Sequence, residues 1–156
     1  MTPYVAVCGA GMAAARPTDL HAAEEVGRRV AEAGGIVVCG GLRGVMEAAC
    51  RGARSADGMT VGLLPSADRG AANPFVSVAI PTGMGELRNG LIVRAADVVI
   101  AIGGEWGTLS EIALAIKTGT PVVGIDTWDL ERPGIEVAAD AGVAVERALT
   151  LASHPH

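Results

Sequence analysis

Two side chains suited to charge chemistry stand in the second half of the chain, each close to a glycine-rich stretch. Glu111 comes three residues after Gly103–Thr108 (GGEWGT), and Arg88 follows the loop Pro81–Gly85. In the first turn of a helix, Glu111 either offsets the helix dipole or acts as a catalytic carboxylate. Arg88 is either a solvated surface residue or a group that orients a phosphate or Glu111. These two residues are the candidate catalytic pair.

Glycines gather after three predicted strands, where bare backbone amides can approach a ligand. The candidate binding residues are Gly9, Gly11, Gly40, Gly41, Gly103, Gly104, Trp106, Gly107 and Thr108. Since the third glycine turn leads directly into a helix, its free amides favour an anion such as phosphate. Thr108 either donates a hydrogen bond to that anion or caps the helix, and Trp106 either stacks on a ligand ring or packs at the helix start. We expect the turns to form one crevice for a small phosphorylated ligand.

The glycine turns fit two common nucleotide-binding motifs poorly. The third turn lacks the Lys-Ser/Thr pair of a Walker loop. The first turn matches the dinucleotide fingerprint loosely through Gly9, Gly11 and Ala14, but residues 39–41 (CGG) at the end of the second predicted strand offer no carboxylate to a ribose. These features disfavour an NAD site.

Short apolar runs alternate with helical segments, and these elements must position the candidates. The predicted strands are Tyr4–Cys8, Ile36–Cys39, Thr60–Leu64, Val76–Ile80, Val98–Ile102, Pro121–Ile125 and Ile135–Ala138. The predicted helices are Asp19–Glu32, Gly44–Ala56, Glu86–Ala96, Thr108–Thr118 and Asp140–Ala152, and Pro65–Pro74 is predicted as a surface loop. Continuous apolar strands such as VVIAI are typical of a parallel sheet covered on both faces. The pattern predicts an α/β fold with about six or seven mainly parallel strands and helices on both faces of the sheet. We expect a single Rossmann-like, doubly wound nucleotide-binding domain at residues 1–152, followed by a C-terminal tail at residues 153–156.

Composition and charge argue against several classes of protein. The formal net charge is −5, with 12 Lys and Arg against 17 Asp and Glu, which disfavours nucleic-acid binding. No apolar run reaches the roughly 18 residues of a membrane span and no signal segment is recognisable, so we expect a cytoplasmic protein with no membrane partner. Cys8, Cys39 and Cys50 are dispersed, and the three histidines form no ligand cluster. We therefore expect buried free thiols and no metal site.

The third glycine turn and its surroundings resemble the Lonely Guy (LOG) phosphoribohydrolases and the molybdenum-cofactor carrier-like proteins, relatives often labelled "possible lysine decarboxylase". The family motif Pro-Gly-Gly-x-Gly-Thr-x-x-Glu corresponds to Gly103–Glu111. Arg88 and Asp97 keep the family spacing between a catalytic Arg and the Asp that starts the next strand. The segments 40–53 (GGLRGVMEAACRGA) and 8–12 (CGAGM) are similar to the other two glycine motifs.

The resemblance implies a Rossmann-like fold, a homodimer and hydrolysis of the N-glycosidic bond of a nucleoside 5′-monophosphate, without a required cofactor. The products would be the free base and ribose 5-phosphate. By this resemblance Glu111 stabilises an oxocarbenium-like state or activates water, and Arg88 orients the phosphate, the ribose or Glu111. The 5′-phosphate is expected on the amides of Gly104, Gly107 and Thr108.

The chain departs from the family motif at three positions. Gly103 stands in place of Pro, Glu105 in place of Gly, and Asn89 in place of the Lys that follows the catalytic Arg. In these features the chain is more similar to the short carrier-like branch, which implies, as the alternative, binding of a nucleotide or molybdopterin without hydrolysis. The single lysine, Lys117, gives no support to the decarboxylase label.

Overall fold

The strands form one sheet in which every neighbouring pair is parallel. The computed structural model describes residues 1–130 and 134–153. The strands are β1 (Tyr4–Gly9), β2 (Ile36–Cys39), β3 (Thr60–Leu64), β4 (Val78–Pro81), β5 (Val98–Ile102), β6 (Val122–Ile125) and β7 (Glu136–Val137). They lie in the order β4-β3-β2-β1-β5-β6-β7. The predicted doubly wound parallel sheet is confirmed.

Helices cover both faces of the sheet, as predicted. They are α1 (Pro17–Glu32), α2 (Val45–Ser55), α3 (Asn89–Arg94), α4 (Trp106–Thr118) and α5 (Ala141–Ala152), and short 3-10 turns span Arg69–Ala71 and Gly85–Arg88. On one face α1, α2 and α5 enclose an apolar core that includes Ile100. On the other face α3 and α4 pack on a second core that includes Val99. Because alternate residues of β5 enter the two cores, the strand is apolar on both sides.

The order of the strands reverses between the central strands β1 and β5, and this reversal is where a ligand site is expected. From β1 the chain winds outward to β4, and from β5 it winds outward to β7 in the opposite direction. In doubly wound sheets, such a reversal opens a crevice beyond the carboxyl ends of the two strands. The turns at this edge contact each other, since the Val45 N–H donates to the Ala10 carbonyl over 3.1 Å.

Some boundaries differ from the predicted ones. Strand β4 begins at Val78 because the Val76 N–H donates back to the Asn73 carbonyl within the preceding loop. The predicted helix Glu86–Ala96 is a 3-10 turn followed by the shorter α3, a common arrangement at a helix N-terminus. Residues 154–156 of the predicted tail lie outside the described residues.

The three cysteines are buried and free, as the sequence predicts. Cys8 lies on β1, while Cys39 ends β2 and has its Sγ 3.5 Å from the Sγ of Cys50 on α2. Within residues 1–130 and 134–153, no helix has the length and hydropathy needed to cross a bilayer.

Candidate functional site

A cavity of about 220 Å³ lies at the carboxyl edge of the sheet, between β1, the start of α4 and the turn before α3. The structure brings six predicted site residues together along its wall: Gly9, Gly40, Arg88, Gly107, Thr108 and Glu111. The remaining lining residues are Val7, Cys8, Leu42, Met46, Pro65, Glu86 and Asn89. The cavity therefore joins the candidate catalytic pair to parts of all three glycine turns.

Helix α4 directs Glu111 into the cavity by its periodicity. Thr108, Glu111, Ile112 and Ala115 are its buried residues, at helical spacing on one face. Ile112 and Ala115 pack on the sheet, whereas Thr108 and Glu111 reach the cavity. Because the helix begins at Trp106, Glu111 lies in its second turn rather than the first turn that the sequence predicts.

Arg88 and Glu111 face each other across the cavity floor. Arg88 is 8% exposed and Glu111 is 7% exposed, and the Arg88 Nη1 lies 3.7 Å from the Glu111 Oε1. Arg88 Nη1 also donates to the Asn89 Oδ1. The Asn89 amide donates to Ser110 Oγ over 2.9 Å, and this hydroxyl donates to the Gly107 carbonyl over 2.7 Å. This chain of hydrogen bonds joins the start of α3 to the start of α4.

Burial dominates the ionisation of Glu111. Desolvation raises the pKa of its carboxyl to about 7, against the lowering effects of the Cys8 thiol, which is placed to hydrogen bond with it, and of the Arg88 charge. The pKa of Cys8 is itself raised, first by burial and then by the Glu111 charge. Near neutral pH, Glu111 therefore exists both as a carboxyl that donates a hydrogen bond and as a carboxylate that accepts one.

The amides at the start of α4 are available to a ligand. Glu105 is the N-cap, and its side chain makes no capping hydrogen bond. Thr108 is the third helical residue, so it does not cap the helix as one interpretation of the sequence suggests. Free N–H groups in a first helical turn favour an anion.

The third glycine turn divides the predicted single crevice into two depressions. Gly103 and Gly104 line a second depression of about 450 Å³ with Ala10, Ala14, Arg16, Asp19, Glu105, Asp126, Thr127 and Trp128. Gly11 and Gly41 are not among the lining residues of either depression. The chain runs between the two depressions because Gly103 and Gly104 adopt positive φ angles of 52° and 116°.

Trp106 does not line the cavity. The residue is 76% exposed, and its ring packs on Trp128 with 5.3 Å between ring centroids. Trp128 lines the second depression and donates through its indole N–H to the Glu105 carbonyl over 3.3 Å. The tryptophan pair thus stands at the start of α4, on the side of the second depression.

The structure explains why Gly103 departs from the family motif. Its φ of 52° is inaccessible to proline, and its N–H donates to the Ile125 carbonyl over 2.9 Å. Glu105 has an extended backbone with φ of −116°, which any residue adopts, and it is exposed to solvent.

Sequence reasoning missed Cys8 as a residue of the site and treated Asn89 only as a departure from the motif. Cys8 directly precedes Gly9, and strand alternation places it on the same face of β1 as Ala6, toward α4. That position at the strand end was the available signal. Asn89 could be identified only once its contacts with Arg88 and Ser110 were known. Over residues 1–130 and 134–153, no three His, Cys, Asp or Glu side chains cluster as metal ligands.

Comparison with known proteins confirms the resemblance to the LOG-like and carrier-like group. The molybdenum cofactor binding protein of the phototrophic bacterium Rippkaea orientalis is 37% identical, with a TM-score of 0.91 over 97% of this chain and 98% of that chain. The molybdenum cofactor carrier protein of Chlamydomonas reinhardtii is 33% identical, with a TM-score of 0.90 over 98% of this chain and 100% of that chain. A protein of Archaeoglobus fulgidus is 44% identical over 103 residues, which are 66% of this chain and 68% of its own. The model of the SLOG cluster4 family matches residues 2–152, and the chain belongs to that family.

Proposed function

We propose that this protein binds a phosphorylated pterin, which is either molybdopterin or the molybdenum cofactor. It carries this ligand without hydrolysing it. The observation that carries the proposal is the cavity whose wall contains both the Arg88 side chain and Gly107 and Thr108 of the uncapped first turn of α4. Both features attract a phosphate. The proposal is supported by the two relatives whose names include cofactor binding or carriage.

The size of the cavity sets how much of the ligand it takes. A volume of about 220 Å³ is smaller than the roughly 300–1,000 Å³ of pockets that enclose a whole drug-sized ligand. The cavity therefore receives the charged end of the ligand, and the remainder extends outward. The second depression lies across the Gly103–Glu105 turn and offers room for a ring next to Trp128.

Native mass spectrometry of the protein purified from its own host tests the carrier proposal. We expect a bound mass that is released on denaturation and identified as a phosphorylated pterin. R88A, which removes the guanidinium, should be recovered without that mass. Repeated recovery of an empty wild-type protein, from cells that make the cofactor, would contradict the proposal.

A second candidate function is hydrolysis of a nucleoside 5′-monophosphate to free base and ribose 5-phosphate. It is favoured by the Arg88–Glu111 pair and by the Glu111 pKa of about 7, which suits proton transfer near neutrality. Incubation with purine and pyrimidine monophosphates, followed by chromatography of the products, tests it. Under this candidate E111Q abolishes base release but leaves nucleotide binding intact. Wild-type protein that binds these nucleotides and releases no base would exclude hydrolysis of them.

We also propose that the protein is a cytoplasmic homodimer. Side chains that include Val78, Ile80, Leu87 and Leu91 expose apolar surface on β4 and around the start of α3. Pairing with a second copy would remove this surface from water. The free thiols of all three cysteines fit a reducing compartment. Light scattering coupled to size exclusion tests the dimer, and L87E should convert it to a monomer.

A further inference from the structure

Three arginines of the described chain hold a carboxylate with the Nε/Nη2 edge of the guanidinium. Arg16 places Nε and Nη2 on the two carboxylate oxygens of Asp19, at 3.0 and 2.7 Å. The same two-point arrangement joins Arg28 to Glu25 and Arg147 to Glu136. Planar, bidentate pairing of this kind is how a guanidinium recognises carboxylates and phosphates.

The same edge of Arg88 has no acceptor among the described residues. Its hydrogen bond to Asn89 and its approach to Glu111 both use Nη1. Its Nε is buried and has no hydrogen-bond partner within residues 1–130 and 134–153. Buried polar groups without partners are rare in folded proteins, and each calls for a structural explanation. Arg88 is one of the residues that line the cavity, so a ligand bound there is a candidate for the missing acceptor.

Gly40 makes room for the guanidinium at the cavity wall. A Cβ atom at position 40 would lie 2.6 Å from Arg88 Nη2 and 2.9 Å from its Cζ. It would also lie 2.8 Å from the Met46 sulfur. The lack of a side chain at Gly40 therefore allows Arg88 to occupy its observed position.

We propose that the Nε/Nη2 edge of Arg88, whose guanidinium packs beside Gly40, is a bidentate receptor for a tetrahedral oxyanion. The oxyanion is the phosphate ester at the buried end of the ligand, so this inference rests on the proposed function for the ligand's identity. It locates the phosphate on the guanidinium edge, whereas the family resemblance places it on the amides of the third glycine turn. The free amides of α4 then act as additional donors rather than as the principal ones.

The receptor binds its anion together with a proton. Three ionisable groups of the packed elements line the cavity that receives the anion: Glu111 on α4, Cys8 on β1 and Glu86 in the turn before α3. An anion on the Arg88 edge disfavours the charged form of Glu111 and favours the neutral carboxyl, which donates a hydrogen bond. Since Glu111 has a pKa of about 7 in the free protein, anion affinity falls as the pH rises above 7.

Sulfate is the probe, because its charge stays constant between about pH 6 and about pH 9 and all pH dependence then belongs to the protein. Arginine Nε–H resonances in ¹⁵N-labelled protein report the contact directly, and R88K identifies the Arg88 signal by its loss. We expect sulfate to shift the Arg88 Nε–H strongly. We expect R88K to weaken sulfate binding by about tenfold or more, since lysine keeps the positive charge but cannot donate the two parallel hydrogen bonds of the Nε/Nη2 edge.

G40A and G90A form a matched pair of variants. A Cβ at position 40 displaces the guanidinium, so G40A should weaken sulfate binding about tenfold while the protein stays folded, because the atoms it meets are ends of flexible side chains. Gly90 follows Arg88 by two residues, and a Cβ there meets nothing within 4 Å. G90A should bind sulfate like the wild-type protein.

The pH series completes the test. Wild-type affinity for sulfate should fall by nearly tenfold for each pH unit above about 7, and E111Q should remove that slope while still binding. The inference is overturned if the Arg88 Nε–H does not respond to sulfate, or if G40A binds as tightly as G90A. Failure of this receptor with intact pterin binding would leave the proposed function standing. Sulfate binding at Arg88 in a protein that binds no pterin would contradict the proposed function but support the anion receptor.

Discussion

The Arg88 Nη1 and the Glu111 Oε1 lie 3.7 Å apart, yet the carboxyl keeps a pKa near neutrality. In most close pairs an arginine lowers the pKa of its carboxyl partner. Here the loss of water around Glu111 outweighs the Arg88 charge. The pair therefore changes from a neutral carboxyl beside a cation to an ion pair within the physiological pH range.

Replacement of Glu111 by Gln should stabilise the protein at alkaline pH only. The folded-state pKa of about 7 lies above the ordinary value of 4.5, so the native state holds a proton that the unfolded state releases. Stability from this group is complete below about pH 4.5 and is lost as the pH rises through about 7. E111Q should exceed wild type in unfolding free energy by roughly 3 kcal/mol at about pH 8, and by little at about pH 4.

Urea denaturation at both pH values measures this difference. E146Q, on the exposed side of α5, serves as the control carboxamide variant and should follow wild type at each pH. Equal stabilities of wild type and E111Q at alkaline pH would show that Glu111 ionises normally.

Replacement of Cys8 by Ala should raise the pKa of Glu111 above about 7. The Cys8 thiol favours the charged carboxylate, and its removal leaves burial opposed by Arg88 alone. A pH titration of the Glu111 side-chain carboxyl by ¹³C NMR measures the change. C50A removes another buried thiol that does not line the cavity and should leave the midpoint unchanged. A downward shift in C8A would contradict the assigned contact.

Replacement of Glu105 by Gln should strengthen anion binding at the start of α4. Glu105 is the N-cap of this helix and sets a negative charge beside the amides that attract the ligand. We expect a roughly two- to fivefold gain in affinity for inorganic phosphate at low salt. The gain should shrink in high salt because the side chain is exposed. An unchanged affinity at low salt would mean that the Glu105 charge is not felt at the site.

Restoring the family proline through G103P should destabilise the fold. Proline cannot adopt the φ of 52°, and it lacks the N–H that bonds to Ile125. We expect a loss of about 3 kcal/mol or more in urea denaturation. G107A, where a Cβ meets nothing within 4 Å, should keep or slightly raise stability because alanine favours a helix. A G103P protein as stable as wild type would contradict the observed turn.

The strands and their parallel arrangement were predictable because the hydrophobicity of consecutive side chains indicates whether one or both faces of a strand are buried. Val98–Ile102 is apolar at every position, and both of its faces are indeed buried. The start of α4 was less predictable, since Thr108 has the side chain of a cap while the observed N-cap, Glu105, makes no capping bond. The helix extends to Trp106 because tertiary contacts, including the Trp106–Trp128 pair, hold its first turn.

The site was predictable only in part, because its contacts join residues far apart in the chain. Arg88 and Glu111 were paired from their positions beside the glycine-rich stretches, but their 3.7 Å approach depends on how α3 and α4 pack. The division of the crevice follows from the backbone angles at Gly103 and Gly104, which residue types alone do not specify. The free edge of Arg88 depends on Gly40, whose close approach no local pattern reveals.

The contact between Trp106 and Trp128 also provides an intrinsic spectroscopic probe of the ligand site. These are the two tryptophans of the chain, so all indole emission originates beside the first turn of α4. With 5.3 Å between centroids and 41° between planes, the two chromophores couple electronically and give a circular dichroism couplet. A ligand that displaces either ring changes that couplet and the emission colour, so binding can be followed in real time without attaching a dye.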